Sequence, residues 1–277
     1  MNSSKFRLIK NIFFLYIFCF NNEAISTEYQ HQPGDFDYDY IFEQGSVWID
    51  KDIITKKDPS SFISLEFIEK KEIEWWDQRT WKVDKRQYEN INEKIFFNVF
   101  VFRAFFKKSH DILIRVNSEF KTQKKAEKQA AIYAKIYGQM PNFLKERARS
   151  LTIHKGDIGW LGGNNDVIIY TNLSKTHSEE AMFHELAHVS LDFQFGGSVN
   201  ENAWRNSILQ DKFYISSYAY EYFFQEDIAE TALWWFATRC KPNAISKKNY
   251  NKVIKHLPNR FEYLDNQDYD FYPLVCK

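Results

Sequence analysis

The sequence predicts an α+β fold, in which strands fill most of the first part of the chain and helices most of the second. Three observations carry this. Between residues 46 and 116 the segments SVWID, SFISLEFI, IFFNVFVFRAFF and DILIRV are rich in Val, Ile and Phe with partial alternation, the pattern of half-buried strands. After residue 177 the apolar residues recur with helical spacing. The 26 Phe, 16 Tyr and 8 Trp can fill a sizeable core, and 9 Gly with 6 Pro exclude a collagen-like or disordered chain.

The elements follow in order. Lys5, Arg7 and Lys10 precede the apolar run IFFLYIFCF, which is too short to span a bilayer, and Ala24 and Ser26 follow as small residues. Residues 1–26 therefore read as a secretory signal peptide. Residues 27–45 are polar and read as an exposed lead-in. Residues 27–116 form a β-rich N-terminal part, and EIEWWDQRTWKV (73–83) adds a strand to it. Residues 117–277 form the second, mostly helical part. Its first helix spans 121–138 and stops near Gly138 and Pro141, and a short helix covers 142–149. LTIHKGD (151–157) and VIIYTN (167–172) read as strands, with LGGNND (161–166) as turn chemistry between them. Helices then fall near 178–193, 201–210, 225–239 and 245–256.

Charge narrows the function. The chain carries 37 Lys+Arg and 37 Asp+Glu. Loss of Lys5, Arg7, Lys10 and Glu23 with the leader leaves a net charge of 0 − (3 − 1) = −2. Nothing in this balance suggests a nucleic-acid partner, and the basic run KTQKKAEK (121–128) reads as the solvated face of a helix. No second long apolar run follows the leader, so no stable membrane insertion is expected. Cys240 and Cys276 remain after Cys19 leaves, and a pair of cysteines in a secreted chain predicts one disulfide.

The chemistry concentrates in AMFHELAHVSLD (181–192). Thr176 and Glu179 match a capping box, so the helix is expected to begin near Ser178. His184 and His188 stand four apart, which places both imidazoles on one helix face. Glu185 sits beside them. This H-E-x-x-H arrangement offers two zinc ligands and a general base.

Zinc needs a third protein ligand. A later histidine on the same segment is ruled out, because Leu191 and Gln194 stand three and six residues after His188. Asp192 lies one turn further on, but a helix rises about 6 Å over four residues, too far for three bonds of about 2 Å to one ion. It reads instead as a group behind a ligand or a helix-end charge. The remaining source is QEDIAETALWWFATR (225–239). Its apolar character predicts burial, and buried carboxylates need partners. Glu226 as ligand and Glu230 as the holder of a histidine ring satisfy both. Tyr218, Tyr220 and His154 are the candidate donors to a developing oxyanion.

HELAH followed by EDIAE resembles the gluzincin branch of the zincin metallopeptidases. That resemblance implies a zincin-like domain in which His184, His188 and Glu226 hold Zn2+ and Glu185 activates water. The family often carries Asp at the position of Glu230. The wording SYA before EDIAE also looks like the zinc region of lethal-factor-type peptidases, where a tyrosine ahead of the glutamate assists catalysis. Tyr218 is the match. LTIHKGD, LGGNND, HELAHVSLD, EDIAE and LPNRFEYLD together look like a group of secreted proteins of unassigned activity, over residues of about 150–265.

The expected function is a secreted zinc metallopeptidase acting on a peptide or protein substrate. Two alternatives stay open: a secreted binding or structural protein that keeps the metal site, and a zinc hydrolase of non-peptide amides.

Overall fold

A computed structural model describes residues 38–45, 47, 52–80, 82–84, 89–91, 94–172 and 177–276. The expected signal peptide, residues 27–37 of the lead-in, most of SVWID and the expected cap Thr176 lie outside them. The elements in chain order are β1 (Asp39–Phe42), β2 (Phe62–Trp76), β3 (Lys82–Asp84), β4 (Glu89–Ile91), β5 (Lys94–Phe106) and β6 (Ile112–Asn117). Then come α1 (Gln123–Gln139), α2 (Asn142–Lys145), β7 (Ser150–His154), β8 (Leu161–Gly163), β9 (Asp166–Tyr170), α3 (Ser178–Ser190) and α4 (Glu201–Asp211). The chain ends with β10 (Phe213–Ser216), α5 (Ser217–Glu221), α6 (Phe223–Cys240), α7 (Lys247–His256) and α8 (Pro258–Asp265).

The class is mixed α and β. The chain divides into two units, Met1–Gln30 with Glu74–Ile95, and His31–Ile73 with Phe96–Lys277. In the smaller unit β3 and β4 pair antiparallel, Lys82 opposite Ile91. The larger unit carries the HELAH and EDIAE segments.

Its framework is a sheet in the order β2-β5-β6-β7-β9-β8. β5 and β6 are antiparallel, β6, β7 and β9 run parallel, and β8 closes the edge antiparallel to β9. The boundary expected at residues 116 and 117 thus falls inside one sheet, because β6 pairs with β7 from Leu113–Ser150 to Val116–Ile153. A parallel pair needs a crossover, and α1 with α2 supplies it. Strands and helices are therefore interleaved in the second part rather than segregated. β7 and β9 are buried along their whole length, although SLTIH and DVIIY each include polar residues. β9 has neighbours on both sides, so it is an internal strand rather than a free edge for a peptide.

Local signals explain the element ends. Thr122 and Asn200 cap α1 and α4 through their side chains. Asn164 and Asn165, both with positive φ, make the two-residue connection between β8 and β9, a role suited to asparagine in a twisted hairpin. Trp76 prolongs β2, and a 3-10 turn at Gln78–Thr80 interrupts the strand expected over 73–83. β1, β4, β8, β10 and α5 escape the sequence pattern because each has only three to five residues, and the helix α8 is missed as well. β10 has four residues, and the lead-in supplies β1 as its parallel partner, Tyr40 opposite Tyr214.

The helices that carry the histidines and EDIAE pack against each other in the core. α6 is buried on all sides, with Ala229, Ala232, Leu233, Trp234 and Phe236 fully enclosed. Phe183 of α3 meets Phe236 of α6 with ring centroids 5.2 Å apart. Behind α6, Arg260 of α8 donates to Asp211 of α4 and to Asp227 of α6. All three side chains are fully buried, so each charge depends on the others. A Cys240–Cys276 disulfide ties the end of α6 to the C-terminal segment. No helix among the described residues is long and apolar enough to cross a membrane.

Candidate metal centre

α3 begins at Ser178, as expected, but its N-cap residue is His177, whose side chain makes no capping bond. The helix ends at Ser190, and Asp192 then caps the following 3-10 turn, its Oδ1 accepting from Gln194 N at 2.9 Å. Ser190 Oγ donates to the carbonyl of Leu144 at 2.7 Å and ties the helix to α2. These anchors orient a helix whose histidines look inward.

His184 and His188 point their Nε2 atoms at each other, 3.1 Å apart. Glu226 Oε2, from α6, lies 3.1 Å from His184 Nε2 and 3.4 Å from His188 Nε2. A tetrahedral set with bonds of about 2.0–2.1 Å has its donors about 3.3–3.4 Å apart. The three atoms therefore have the separations of one face of such a set. The chemistry of the donors, two imidazole nitrogens and one carboxylate oxygen, also suits a borderline divalent ion. These residues could hold a metal ion.

A carboxylate stands behind each of the other ring nitrogens, hydrogen-bonded at His188 and at ion-pair distance at His184. His184 Nδ1 is 3.4 Å from Glu230 Oε1, and Glu230 Oε2 accepts from Ser216 Oγ at 2.7 Å. His188 Nδ1 is 3.4 Å from Asp192 Oδ2. Asp192 thus stands on the far side of the ring from Glu226 and cannot share its ion. Carboxylates in these positions fix the tautomer that leaves Nε2 free to bind.

Burial and charge set the ionisation. Burial alone pushes the Glu226 carboxyl up, but His188 and His184 outweigh it and hold the group well below the usual carboxylate range. Burial opposes charge on His184 and His188 in turn, and Glu226 more than restores it, so both lie above the ordinary histidine value. Two raised histidines around a lowered carboxylate mark a pocket that favours positive charge beside Glu226.

Glu185 is no part of this triangle. Burial raises its carboxyl, His184 and His188 pull it down, and the N–H of Gly162 donates to it. Gly162 belongs to the edge strand β8, and a Cβ there would overlap the backbone of Glu185. Only glycine permits this approach. The LGG wording had signalled a turn alone, yet it contains the strand residue that touches the candidate base.

Tyr218, on α5, reaches the centre. Its hydroxyl donates to Glu226, and burial with the charges of Glu226, Glu230 and Glu185 pushes its pKa far up, so it stays protonated. Gly45 packs beside it, where a Cβ would stand 3.9 Å from the Tyr218 ring and 3.6 Å from Glu230 Oε1. The other two candidates lie elsewhere. Tyr220 packs its ring among Tyr40 and Tyr214. His154 is buried, with Nδ1 at 3.1 Å from Asn117 Nδ2 and its ring stacked on Tyr170.

Compared with protein-family models, with curated proteins and with solved structures, the chain matches none.

Proposed function

We propose that this protein is a secreted zinc-dependent hydrolase of the gluzincin type, with a zincin-like catalytic domain, that cleaves peptide bonds. The observation that carries the reading is the convergence of His184 Nε2, His188 Nε2 and Glu226 Oε2, with Glu185 adjacent and left out of the donor set. A site built only for stability has no use for that second acid. His184, His188 and Glu226 would hold the zinc. The ion supplies Lewis acidity that brings water into the neutral titration range and polarises a carbonyl. Glu185 takes the proton of the attacking water and passes it to the departing amine. Burial raises its carboxyl, so it holds a proton more readily than an exposed glutamate. Tyr218 has one O–H, given to Glu226 in this structure, and it would turn that donor to the oxygen that gains charge in the transition state. The Cys240–Cys276 bond and the leader-like N-terminus support an extracellular setting.

One observation favours a second reading. His184, His188 and Glu226 are each less than a tenth exposed, and the Tyr218 hydroxyl adds a fourth oxygen nearby. A closed centre of that kind would hold zinc for stability in a non-catalytic secreted protein. Glu185→Gln separates the two. It keeps every ligand and the side-chain shape, so zinc content should match wild type while cleavage of an unstructured peptide library falls to background. Equal cleavage by wild type and variant would overturn the proposed mechanism. If wild type itself cleaves nothing while holding zinc, the closed-centre reading replaces it.

A further inference from the structure

A second group of ligand-type side chains meets at the N-terminus of α3. Asp52, His177 and Glu180 place one ligand atom each within 4.8 Å of one another. His177 Nδ1 is 3.0 Å from Asp52 Oδ1 and 3.3 Å from Glu180 Oε2. A single ring nitrogen has at most one hydrogen to offer, yet two carboxylate oxygens face it. The two oxygens of Glu180 divide their tasks, because Oε1 accepts from the backbone N–H of Ile53 and this fixes Oε2 toward His177. Glu180 is buried, with only 2% of its side chain exposed, whereas Asp52 is 48% exposed, so the group opens to solvent on one side. His177 adopts the left-handed backbone, φ 68°, a region that non-glycine residues rarely occupy. It does so at a helix N-cap where its side chain makes no capping bond.

Independent of that geometry, negative charge is in excess here. Burial first, and then Asp52 and Glu179, push the Glu180 carboxyl up to about 8 against the lowering bond from Ile53 N–H. Glu179 Oε1 is buried with no hydrogen-bond partner among the described residues. Lys56 is the cation that acts on Glu179, and Lys241 is engaged by Asp58. The helix N-terminus offsets part of this excess but does not supply a full charge.

We propose that Asp52, His177 and Glu180 form a second divalent-cation site that takes a borderline ion such as zinc through one imidazole nitrogen and two carboxylate oxygens. The ion would neutralise the acidic group and pin residues 52–54 to the start of the helix that carries His184 and His188. This inference does not depend on the hydrolase reading.

The test is zinc stoichiometry of the full chain by equilibrium dialysis and elemental analysis. Wild type should bind two equivalents, and His177→Ala and Asp52→Asn one each. The double variant His184→Ala/His188→Ala should also retain one, and adding His177→Ala to it should leave none. Asp52→Asn changes an exposed side chain conservatively, so it reports even if His177→Ala folds poorly. Zinc should also slow hydrogen exchange at Ile53 in wild type and not in Asp52→Asn. Unchanged stoichiometry in Asp52→Asn and His177→Ala, or a double variant that binds no zinc, overturns the second site. A double variant that loses nothing would sink the hydrolase reading alone.

Discussion

Replacing Glu226 with alanine removes the one donor that the motif helix does not supply. Its Oε2 stands 3.1 Å and 3.4 Å from the two histidine nitrogens, so both would lose their shared neighbour. A four-ligand structural zinc site binds with about 10–16 kcal/mol, so a ligand carries about 3–4 kcal/mol on average, or about 10²–10³-fold in affinity. Asp192→Ala and Glu230→Ala act differently. Each removes the group behind a histidine, Asp192 at His188 Nδ1 and Glu230 at His184 Nδ1, and such losses cost about 10–100-fold. The assay is zinc retention against a graded series of chelators. Circular dichroism must accompany it, because breaking a buried charge pair costs about 3–5 kcal/mol and could unfold the variant without zinc. The expected order of loss is Glu226→Ala, then Glu230→Ala, then Asp192→Ala. If Asp192→Ala strips the metal and Glu226→Ala keeps it, the assignment of the third ligand is wrong and the gluzincin reading falls with it.

Tyr218→Phe should lower the turnover of a peptide substrate about 10²–10³-fold, the usual effect of removing an oxyanion donor, with zinc affinity changed only a few-fold; unchanged turnover would remove Tyr218 from the mechanism. Cys240→Ser/Cys276→Ser should lose about 4 kcal/mol of stability in denaturant melts, from the loop entropy of a 36-residue separation, whereas two alkylatable thiols in the unreduced protein would show the bond does not form. Lys145 gives the pH test. It is fully buried beside Ser61 and the Tyr137 ring, and burial lowers its pKa from 10.5 to about 7. Between those values the unfolded chain binds more protons than the folded one, so stability should rise with pH across that window. Lys145→Met should flatten that rise and add a few kcal/mol at neutral pH, measured by urea melts at several pH values; a parallel rise in both proteins would assign the dependence to another group.

The sequence by itself determined the elements with a strong period and the residues within a single helix. HELAH needs only the 3.6-residue turn to place His184 and His188 together, and EDIAETALWW could be read as buried because its apolar residues leave the carboxylates no solvent. α1 and α4 begin at the side-chain caps Thr122 and Asn200, which are local signals of the same kind. Tertiary structure decided whatever depends on two distant segments meeting. The strands of residues 94–117 share a sheet with those of 150–170, so the compositional change near residue 116 marks no boundary. Residues 39–42, DYIF, are too short to show a period of their own and find their strand partner in β10. At the centre, Glu226 meets both Nε2 atoms, Tyr218 meets Glu226, and Gly162 approaches Glu185 across the edge of the sheet. Their spacings along the chain carry no period that predicts them. A helix fixes neighbours over one turn through its own hydrogen bonds, but contacts between segments follow from how a whole core packs, and only the folded chain contains that information.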